Sequence, residues 1–458
     1  MRALFLNQFY HPDIAATAQV LRPLCEDLAA AGHHVTVVCS AAAYRRPHHG
    51  RDAASQPSVP AAQPQQIAGV TVLRIPLPPP GAAARLVSAL ASPVAALATR
   101  LGREAQFTLA TFRRLRAQIA ADPPDVIVAM STPPTLLPVA LWAAADRHIP
   151  VVYWVQDVYP DLLPATGVLQ PERAPDRLAM AALSALMPRL YRPTAAAVVL
   201  DDAMRDRLVA GGFPADRVHV IEHGTDCRTV HPIHPGENRI RKLLGLTSER
   251  DFVVCYSGNM GRGHDFDTVA QALSLLARSA SPAAGRVHFL FIGDGQALPS
   301  LRAAVPSTLQ GRVHFLPPQD ATLLGDVLSA GDVGLITLRP ACAGLMTPSK
   351  LYPLLAAARP ILYVGPPSGR VASLCDSDPI GQRIENGAAA ALVDTVLRWA
   401  DDPAGCAALG RTARALAESR FDRPLTSGRH AALLTRIATS TRAPGPEGRE
   451  GPACAPSA

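Results

Sequence analysis

The chain has 458 residues, 48% hydrophobic and 18% charged, a globular composition long enough for two or three domains with substantial cores. Lys+Arg 44 against Asp+Glu 37 leaves a net charge of +7, an excess that suits an anionic ligand or membrane surface; no arginine-rich block forms a nucleic-acid patch, so no nucleic-acid partner is expected. The eight cysteines are scattered without a C-x-x-C pair or histidine-spaced zinc pattern, and they read as buried thiols of a reducing, cytosolic compartment.

The chain opens on an apolar strand, Arg2–Leu6, and its start, MRALFLNQFYHP, lacks the small-residue cleavage site of a signal peptide. The loop Asn7–Thr17 leads into a helical pattern over Ala18–Ala31, which Gly32 ends, and Val35–Cys39 follows as a strand. Strand, helix and strand within about 40 residues make a βαβ unit, which implies a parallel sheet. Tyr44–Gln66, rich in Pro, Gln, Ser, His and Arg, reads as a mobile loop. Val70–Ile75 is a strand, and Arg85–Ala120 is a long alanine-rich helix with arginines at 85, 100, 103, 113, 114 and 116. Val126–Met130, Val151–Val155, Ala197–Leu200 and Val218–Glu222 are further strands. The uncharged run Val126–Ala145 reaches transmembrane length, but Pro133, Pro134 and Pro138 divide it into strand, loop and helix start, so no membrane span is expected.

A second alternating set begins at Phe252–Ser257, continues through the helix Asp267–Arg278, the strands Val287–Ile292 and Val313–Leu316, the helix Asp320–Ala330 and the strand Val333–Thr337, and closes on Ile361–Val364. Helices Ala388–Ala400 and Ala404–Glu418 precede Phe421-Asp422-Arg423-Pro424 and one more amphipathic helix. The expected fold is therefore α/β, two Rossmann-like doubly wound domains facing across a cleft, with ligands at the carboxyl ends of the strands. The expected division is 1–225 and 226–420, with the helix 421–440 packing back on the first domain and 441–458 a disordered tail.

The stretch Gly344–Pro366 holds Lys350, one of only two lysines in the chain with Lys242. Composition presses against lysine, so one kept between Pro348-Ser349 and an apolar helix from Leu351 to Ala358 asks for a chemical role. Its charge, beside the free N–H groups of a helix start, suits the phosphates of a ligand. Ser257–Asp265 (SGNMGRGHD) places Gly258, Asn259 and Gly261 around Arg262, whose planar fork matches phosphate oxygens. Gly293-Asp294-Gly295 forms a second turn after a strand, and no Walker lysine motif occurs. In the first half, the loop carrying Asn7, Ala15 and Ala16 can bring backbone close to a ligand, although G-x-G-x-x-G is absent. Gln156 and Asp157 lie among Trp154 and Tyr159, a setting for sugar rings. Glu222–Asp226, with His223, is either an interdomain hinge or a cleft-facing pair, the hinge being preferred. Asp376-Ser377-Asp378 has the D-x-D form but reads as a surface loop, and no metal site is expected.

YSGNMGRGHDFDT, FIGDGQ and PSKLYPLLAAARPILYVGP, together with the NQFYHPDIAAT loop and WVQDVYPD, resemble the glycosyltransferases of family 4, which have the GT-B fold, and in particular the branch acting in bacterial surface-polysaccharide assembly. The resemblance implies retaining, metal-independent transfer from a nucleotide sugar, with no cofactor beyond that donor. Arg262 and Lys350 would then lie on the diphosphate; Gly258, Asn259, Gly261, Gly293, Asp294, Gly295, Pro348, Ser349 and Leu351 would surround the donor, with the backbone of Phe315–Pro317 near the base. Asn7, Ala15, Ala16, Gln156, Asp157 and His223 would face the acceptor, a glycan or lipid-linked glycan.

One departure stands out. The family usually carries two glutamates eight positions apart, and here Leu345 and Pro353 occupy those places, while Ala358 replaces the usual glycine before Arg359-Pro360. The missing glutamates motivate one competing reading, a catalytically weak sugar-nucleotide-binding scaffold; another, a nucleotide-sugar 2-epimerase, shares the fold but would want a carboxylate and histidine set that this helix does not provide. Arg85–Ala120 and Arg177–Arg192 have the basic-flanked apolar character of interfacial helices, so the expected location is cytoplasmic, peripheral on the inner face of the membrane.

Overall fold

The computed structural model describes residues 1–13, 15–41, 63–76 and 93–440. The expected loop up to residue 62, residues 85–92 of the long helix and the tail from 441 lie outside the described residues.

Two sheets dominate. The first has eight strands, β1 (Arg2–Leu6), β2 (His34–Ser40), β3 (Gln65–Ile67), β4 (Val70–Ile75), β5 (Val126–Met130), β6 (Val151–Trp154), β7 (Ala196–Val199) and β8 (Val218–Val220), in the order β3-β4-β2-β1-β5-β6-β7-β8. The second has β9 (Phe252–Asn259), β10 (Val287–Asp294), β11 (Val313–Leu316), β12 (Val333–Thr337), β13 (Ile361–Val364) and β14 (Gly381–Ile384), ordered β11-β10-β9-β12-β13-β14. Every pairing is parallel except β3 with β4. Parallel strands are covered on both faces by crossover helices, which is why runs such as VIVAM and ILYV are apolar at every position and buried throughout. Among the described residues, no helix is long and apolar enough to cross a membrane.

The helices that matter for the site are α1 (Ala16–Ala30), α2 (Pro93–Ala121), α3 (Leu136–Ala144), α4 (Ala174–Tyr191), α5 (Asp202–Ala210), α6 (Asp267–Leu276), α7 (Leu351–Ala356), α8 (Arg370–Ser377), α9 (Ala389–Asp401), α10 (Pro403–Leu416) and α11 (Arg423–Ser440). Leu433, Leu434 and Ala438 of α11 share a core with Leu21, Leu24 and Leu28 of α1, and Arg423 holds Asp27 at 2.7 Å, so the end of the chain returns to its start.

Several boundaries differ from expectation. Gln65 and Gln66, assigned to a loop, form the short antiparallel edge strand β3, whose polar side chains gave no strand pattern. The polar edge strand β14 (GQRI) was missed for the same reason; Asp376 and Ser377, assigned to a surface loop, end α8 ahead of that strand. The helix expected over Asp320–Ala330 is a 3-10 turn, Ala321–Leu323, followed by Leu324–Ser329. The helix after Lys350 stops at Ala356, because Ala358 adopts φ 54, the left-handed region where glycine is favoured. Strands β9 and β10 each run two residues further than their apolar pattern, and those residues begin the site.

Candidate active site

Strands β9 and β10 end side by side, Gly258 opposite Gly293 and Asn259 opposite Asp294. A Cβ on Gly293 (φ 143) would stand 2.1 Å from the Gly258 carbonyl oxygen, so the two chain exits press together and glycine is required. The Met260 N–H donates to the Asp294 carbonyl at 2.8 Å, and Ala297 N–H to the Met260 carbonyl at 3.0 Å, locking the two turns into one unit. Asp294 accepts from the Gly295 N–H at 2.7 Å through Oδ1, while its Oδ2 is buried without a partner.

Lys350 reaches into this unit. Its Nζ lies 3.4 Å from the centroid of the Tyr256 ring and would be 3.6 Å from a Cβ on Gly258; it is buried and has no hydrogen-bond partner. A desolvated cation over a tyrosine face gains about 2 kcal/mol, far less than burial of an ammonium costs. Burial accordingly holds its pKa well below the ordinary lysine value. His264 packs edge-on against the same tyrosine with its Nδ1 2.6 Å from the Thr337 carbonyl; burial first, and the charge of Lys350 second, press its pKa down to about 3. The imidazole is therefore neutral, and Nδ1 donates.

The helix start offers fewer free N–H donors than its sequence suggests. The Leu351 N–H is engaged by the Pro348 carbonyl at 3.2 Å, Pro353 has none, and the Leu351 side chain is fully buried in the core, so it offers the donor nothing. Ser349 is exposed, whereas Pro348 lines a cavity of about 10 Å³ with Asp201, Thr347 and Arg370, room for a water at most. Arg262 is exposed: its Nε donates to Gln296 Oε1 at 2.6 Å and Nη1 to the Gly167 carbonyl at 3.3 Å, so it joins the glycine-bearing loop to the first half of the chain.

The first half contributes the opposing wall. Ser131 Oγ accepts from the N–H groups of Gln156 (2.9 Å) and Asp157 (3.1 Å), fixing the exit of β6. Asp157 forms an antiparallel bridge with Met346, and the Val158 N–H donates to the Leu345 carbonyl at 2.8 Å, so this exit lies directly on the segment leading to Lys350. Among the described residues the Asp157 carboxyl accepts no hydrogen bond, and burial raises its pKa to about 6. The Nε2 of Gln156 is buried and unpartnered. Asn7, at the end of β1, donates through Nδ2 to the Phe9 carbonyl at 2.7 Å, and its Oδ1 has no partner. Ala15 is buried and Ala16 exposed at the start of α1. His223 sits in an aromatic cluster with Trp154 and Tyr352, and burial presses its pKa to about 3. Next to it, Thr225 and the Phe421–Arg423 backbone exchange hydrogen bonds at 3.0 and 3.2 Å, where the chain crosses twice between the two sheets.

Four of the residues singled out from sequence, Asn7, Gln156, Asp294 and Lys350, thus carry buried polar atoms without partners. All four lie at or just beyond the carboxyl ends of strands or on the segment facing them. Buried unsatisfied groups are rare and costly, and at these strand exits and on the segment facing them such atoms can meet a polar ligand. Sequence reading missed a second set that ties the walls together. Thr347 Oγ1 donates to Asp201 Oδ2 at 2.7 Å, the Arg370 N–H reaches the same oxygen at 3.2 Å, and the Arg370 guanidinium holds Glu222 at 3.0 Å. The only local signal was Asp201 as a helix cap, accepting from the Met204 N–H at 2.8 Å; its partners are more than a hundred residues away.

Residues 16–224 match the family model described as glycosyl transferase 4-like domain. A Pseudomonas aeruginosa protein named as a glycosyltransferase, WbjE, is 26% identical over 261 residues, covering 56% of this chain and 61% of that protein, so the match spans under two thirds of its length. An Escherichia coli K12 protein named for colanic acid biosynthesis, WcaI, is 22% identical over 382 residues, 83% of this chain and 87% of that one. Among solved structures, Anabaena Alr3699/HepE in complex with UDP and glucose superposes with a TM-score of 0.65 at 17% identity, covering 95% of this chain and all (100%) of that one. WaaG, a glycosyltransferase involved in lipopolysaccharide biosynthesis, gives 0.62 at 16% identity, covering 95% and 100%.

Proposed function

We propose that this chain, which has the GT-B fold and matches the glycosyl transferase 4-like domain over residues 16–224, is a family 4 glycosyltransferase that transfers a sugar, with retention and without a metal, from a nucleotide sugar to a lipid-linked glycan in surface-polysaccharide assembly. The relatives named for colanic acid and lipopolysaccharide biosynthesis support the pathway class. UDP and glucose in the Anabaena structure support the donor class. The observation that carries the reading is the Lys350 amine, buried, unpartnered and held over Tyr256 beside Gly258 at the exit of β9.

On this reading the donor diphosphate accepts from Lys350, and Arg262 supplies a second charge from the glycine-bearing loop. Departure of the nucleoside diphosphate places negative charge on the oxygens facing Lys350 and positive charge on the sugar ring; two cations stabilise the first. Asp157 and Gln156, unpartnered on the opposite wall, hold the acceptor and the sugar, and Asn7 extends that wall. The exposed Leu109, Trp142, Leu178 and Leu186 on α2, α3 and α4, with α4 fully burying only Tyr191, support docking on an anionic membrane at the cytoplasmic side.

The test is turnover with a panel of nucleotide sugars and a lipid-linked acceptor, followed by EDTA. Release of nucleoside diphosphate with one donor, unaffected by EDTA, is the expected result; loss of activity restored by manganese refutes the metal-independent part. The absence of carboxylates at Leu345 and Pro353 favours a second reading, a binding scaffold, which predicts nucleotide binding without turnover for every donor in the panel.

A further inference from the structure

The segment that carries Lys350 is held at three consecutive residues by the first half of the chain. The Leu345 carbonyl accepts from the Val158 N–H at 2.8 Å, Met346 is bridged to Asp157, and Thr347 Oγ1 donates to Asp201 Oδ2 at 2.7 Å. The first two ties use backbone, and the third alone uses a side chain of the segment. Asp201 stands just past β7 and is 3% exposed. Its Oδ1 accepts from the Met204 N–H at 2.8 Å and caps α5, a task that a serine or threonine hydroxyl can also perform. A hydroxyl brings one oxygen to such a cap, whereas a carboxylate brings two. Here the second oxygen turns away from α5 to the other half of the chain. It accepts from Thr347 Oγ1 and, at 3.2 Å, from the Arg370 N–H at the start of α8. A buried carboxylate is costly unless such hydrogen bonds are made, so the three donors fix Asp201 and are fixed by it.

We propose that Asp201 is a positioning residue for Lys350: through the Thr347 hydroxyl, it sets where the amine meets the leaving diphosphate. The proposal rests on the glycosyltransferase reading and adds to it a residue that acts without touching the donor. Lys350 Nζ has no hydrogen-bond partner, so no polar contact at its own end fixes the amine before a donor arrives. Its place over Tyr256 follows from the backbone that carries it. Only Pro348 and Ser349 separate Thr347 from Lys350, and the ring-locked φ of Pro348 makes that link stiff. The Pro348 carbonyl accepts from the Leu351 N–H at 3.2 Å and the Lys350 carbonyl from the Leu354 N–H at 3.2 Å, which joins the link to α7. A displacement at Thr347 is therefore passed on to Lys350. Misplacing a reacting or charge-stabilising group by about 1 Å can cost about 100-fold in rate. The cost falls on kcat, because the charge that Lys350 meets is largest in the transition state.

The test compares the full chain with D201S, which keeps an oxygen for the α5 cap and removes the second one, with T347V, which removes the hydroxyl at nearly constant shape, and with T347S, which keeps it. D201S and T347V are expected to lower kcat about tenfold or more with the donor KM within about threefold, and T347S to keep at least about half of the parent kcat. In a K350M background T347V should change kcat/KM by less than about twofold, because the group it positions is already gone. A second readout needs no turnover. Lys350 and Lys242 are the only lysines of the chain, and Lys242 is exposed, so a pulse of acetic anhydride followed by mass spectrometry reports access to the Lys350 amine against an internal reference. The labelling of Lys350 relative to Lys242 should rise about tenfold or more in T347V and D201S and stay at the parent level in T347S. Unchanged labelling in both T347V and D201S overturns the proposal. So do equal effects of T347S and T347V, or a T347V loss that multiplies in full with that of K350M, since either describes a contact that serves packing alone. A parent chain that turns over no donor defeats the glycosyltransferase reading itself, and the labelling ratios still decide whether Asp201 places Lys350.

Discussion

Replacing Lys350 by methionine should make the protein more stable and the enzyme much slower, a pairing of signs that a structural lysine cannot produce. The folded chain holds the amine away from water over the Tyr256 ring with no hydrogen-bond partner. Leaving a buried donor unsatisfied costs about 1–3 kcal/mol, and more when it is charged. The cation–π contact returns at most about 2 kcal/mol, and only while the amine is protonated. Methionine keeps most of the volume, packs on the ring through sulfur and removes the penalty, so a net gain of about 1–2 kcal/mol in unfolding free energy is expected. In the transition state the balance reverses: loss of one preorganised charge at the leaving group costs roughly 2–4 kcal/mol, about 30- to 800-fold in kcat/KM. Denaturant unfolding and initial-rate kinetics on the same preparation measure both. A destabilised K350M with kcat/KM unchanged refutes the diphosphate assignment.

The depressed pKa of Lys350 implies that binding an anionic donor draws a proton onto the amine, so nucleotide affinity should fall as pH rises; calorimetry in two buffers of different ionisation heat should report net proton uptake, and equal heats refute it. Ala358 adopts φ 54, so Ala358→Gly should stabilise the fold by about 0.5–1 kcal/mol, read as a rise in Tm, and an unchanged or lowered Tm counts against strain at that position. His223, His264 and His430 have pKa values pressed to about 3, about 3 and about 4 by burial. Their unfolded values lie near about 6.5, so their contribution is intact above that pH and is lost as pH falls toward the folded values. Unfolding free energy should therefore decline from about pH 6.5 downward, and a flat profile to pH 4 counts against these environments.

The strand-and-helix skeleton was legible because strands of a parallel sheet are rich in apolar residues: Val126–Met130 and Ile361–Val364 are apolar throughout, and Arg2–Leu6, Val70–Ile75, Val313–Leu316 and Val333–Thr337, with one or two polar residues each, also stand where their runs stand. Polar edge strands such as Gln65–Ile67 and Gly381–Ile384 were hidden, since an edge needs no apolar face. Lys350 was legible through rarity, in a chain that otherwise uses arginine. Its real surroundings were not: the Leu351 N–H is taken by the Pro348 carbonyl, and the tyrosine beneath the amine is nearly a hundred residues away. The Asp201–Thr347–Arg370–Glu222 network is wholly long-range, and charges of this kind look like ordinary surface residues until the two sheets are brought together.

The missing carboxylates have a structural reason that points to a replacement. Leu345 is 3% exposed, belongs to the core shared by the two halves, and lends its carbonyl to the Val158 N–H. A glutamate there would bury a charge with no partner, so Leu345→Glu should destabilise the fold by about 3 kcal/mol or more. Restoring the family pattern is therefore blocked at that position by packing. A carboxyl group beside this backbone is that of Asp157, bridged to Met346, the very next residue; among the described residues it accepts no hydrogen bond, and burial raises its pKa to about 6. A carboxylate that burial has made basic, set against the segment that carries Lys350, can accept the acceptor hydroxyl proton or face the developing positive charge of the sugar. Asp157→Asn conserves shape and removes the titration. Turnover should fall at least tenfold, the acid limb of the kcat–pH profile near 6 should disappear, and nucleotide affinity should hold, because the side chain belongs to the opposite wall. A limb that persists in the variant assigns that titration to another group and leaves the lost glutamates without a substitute.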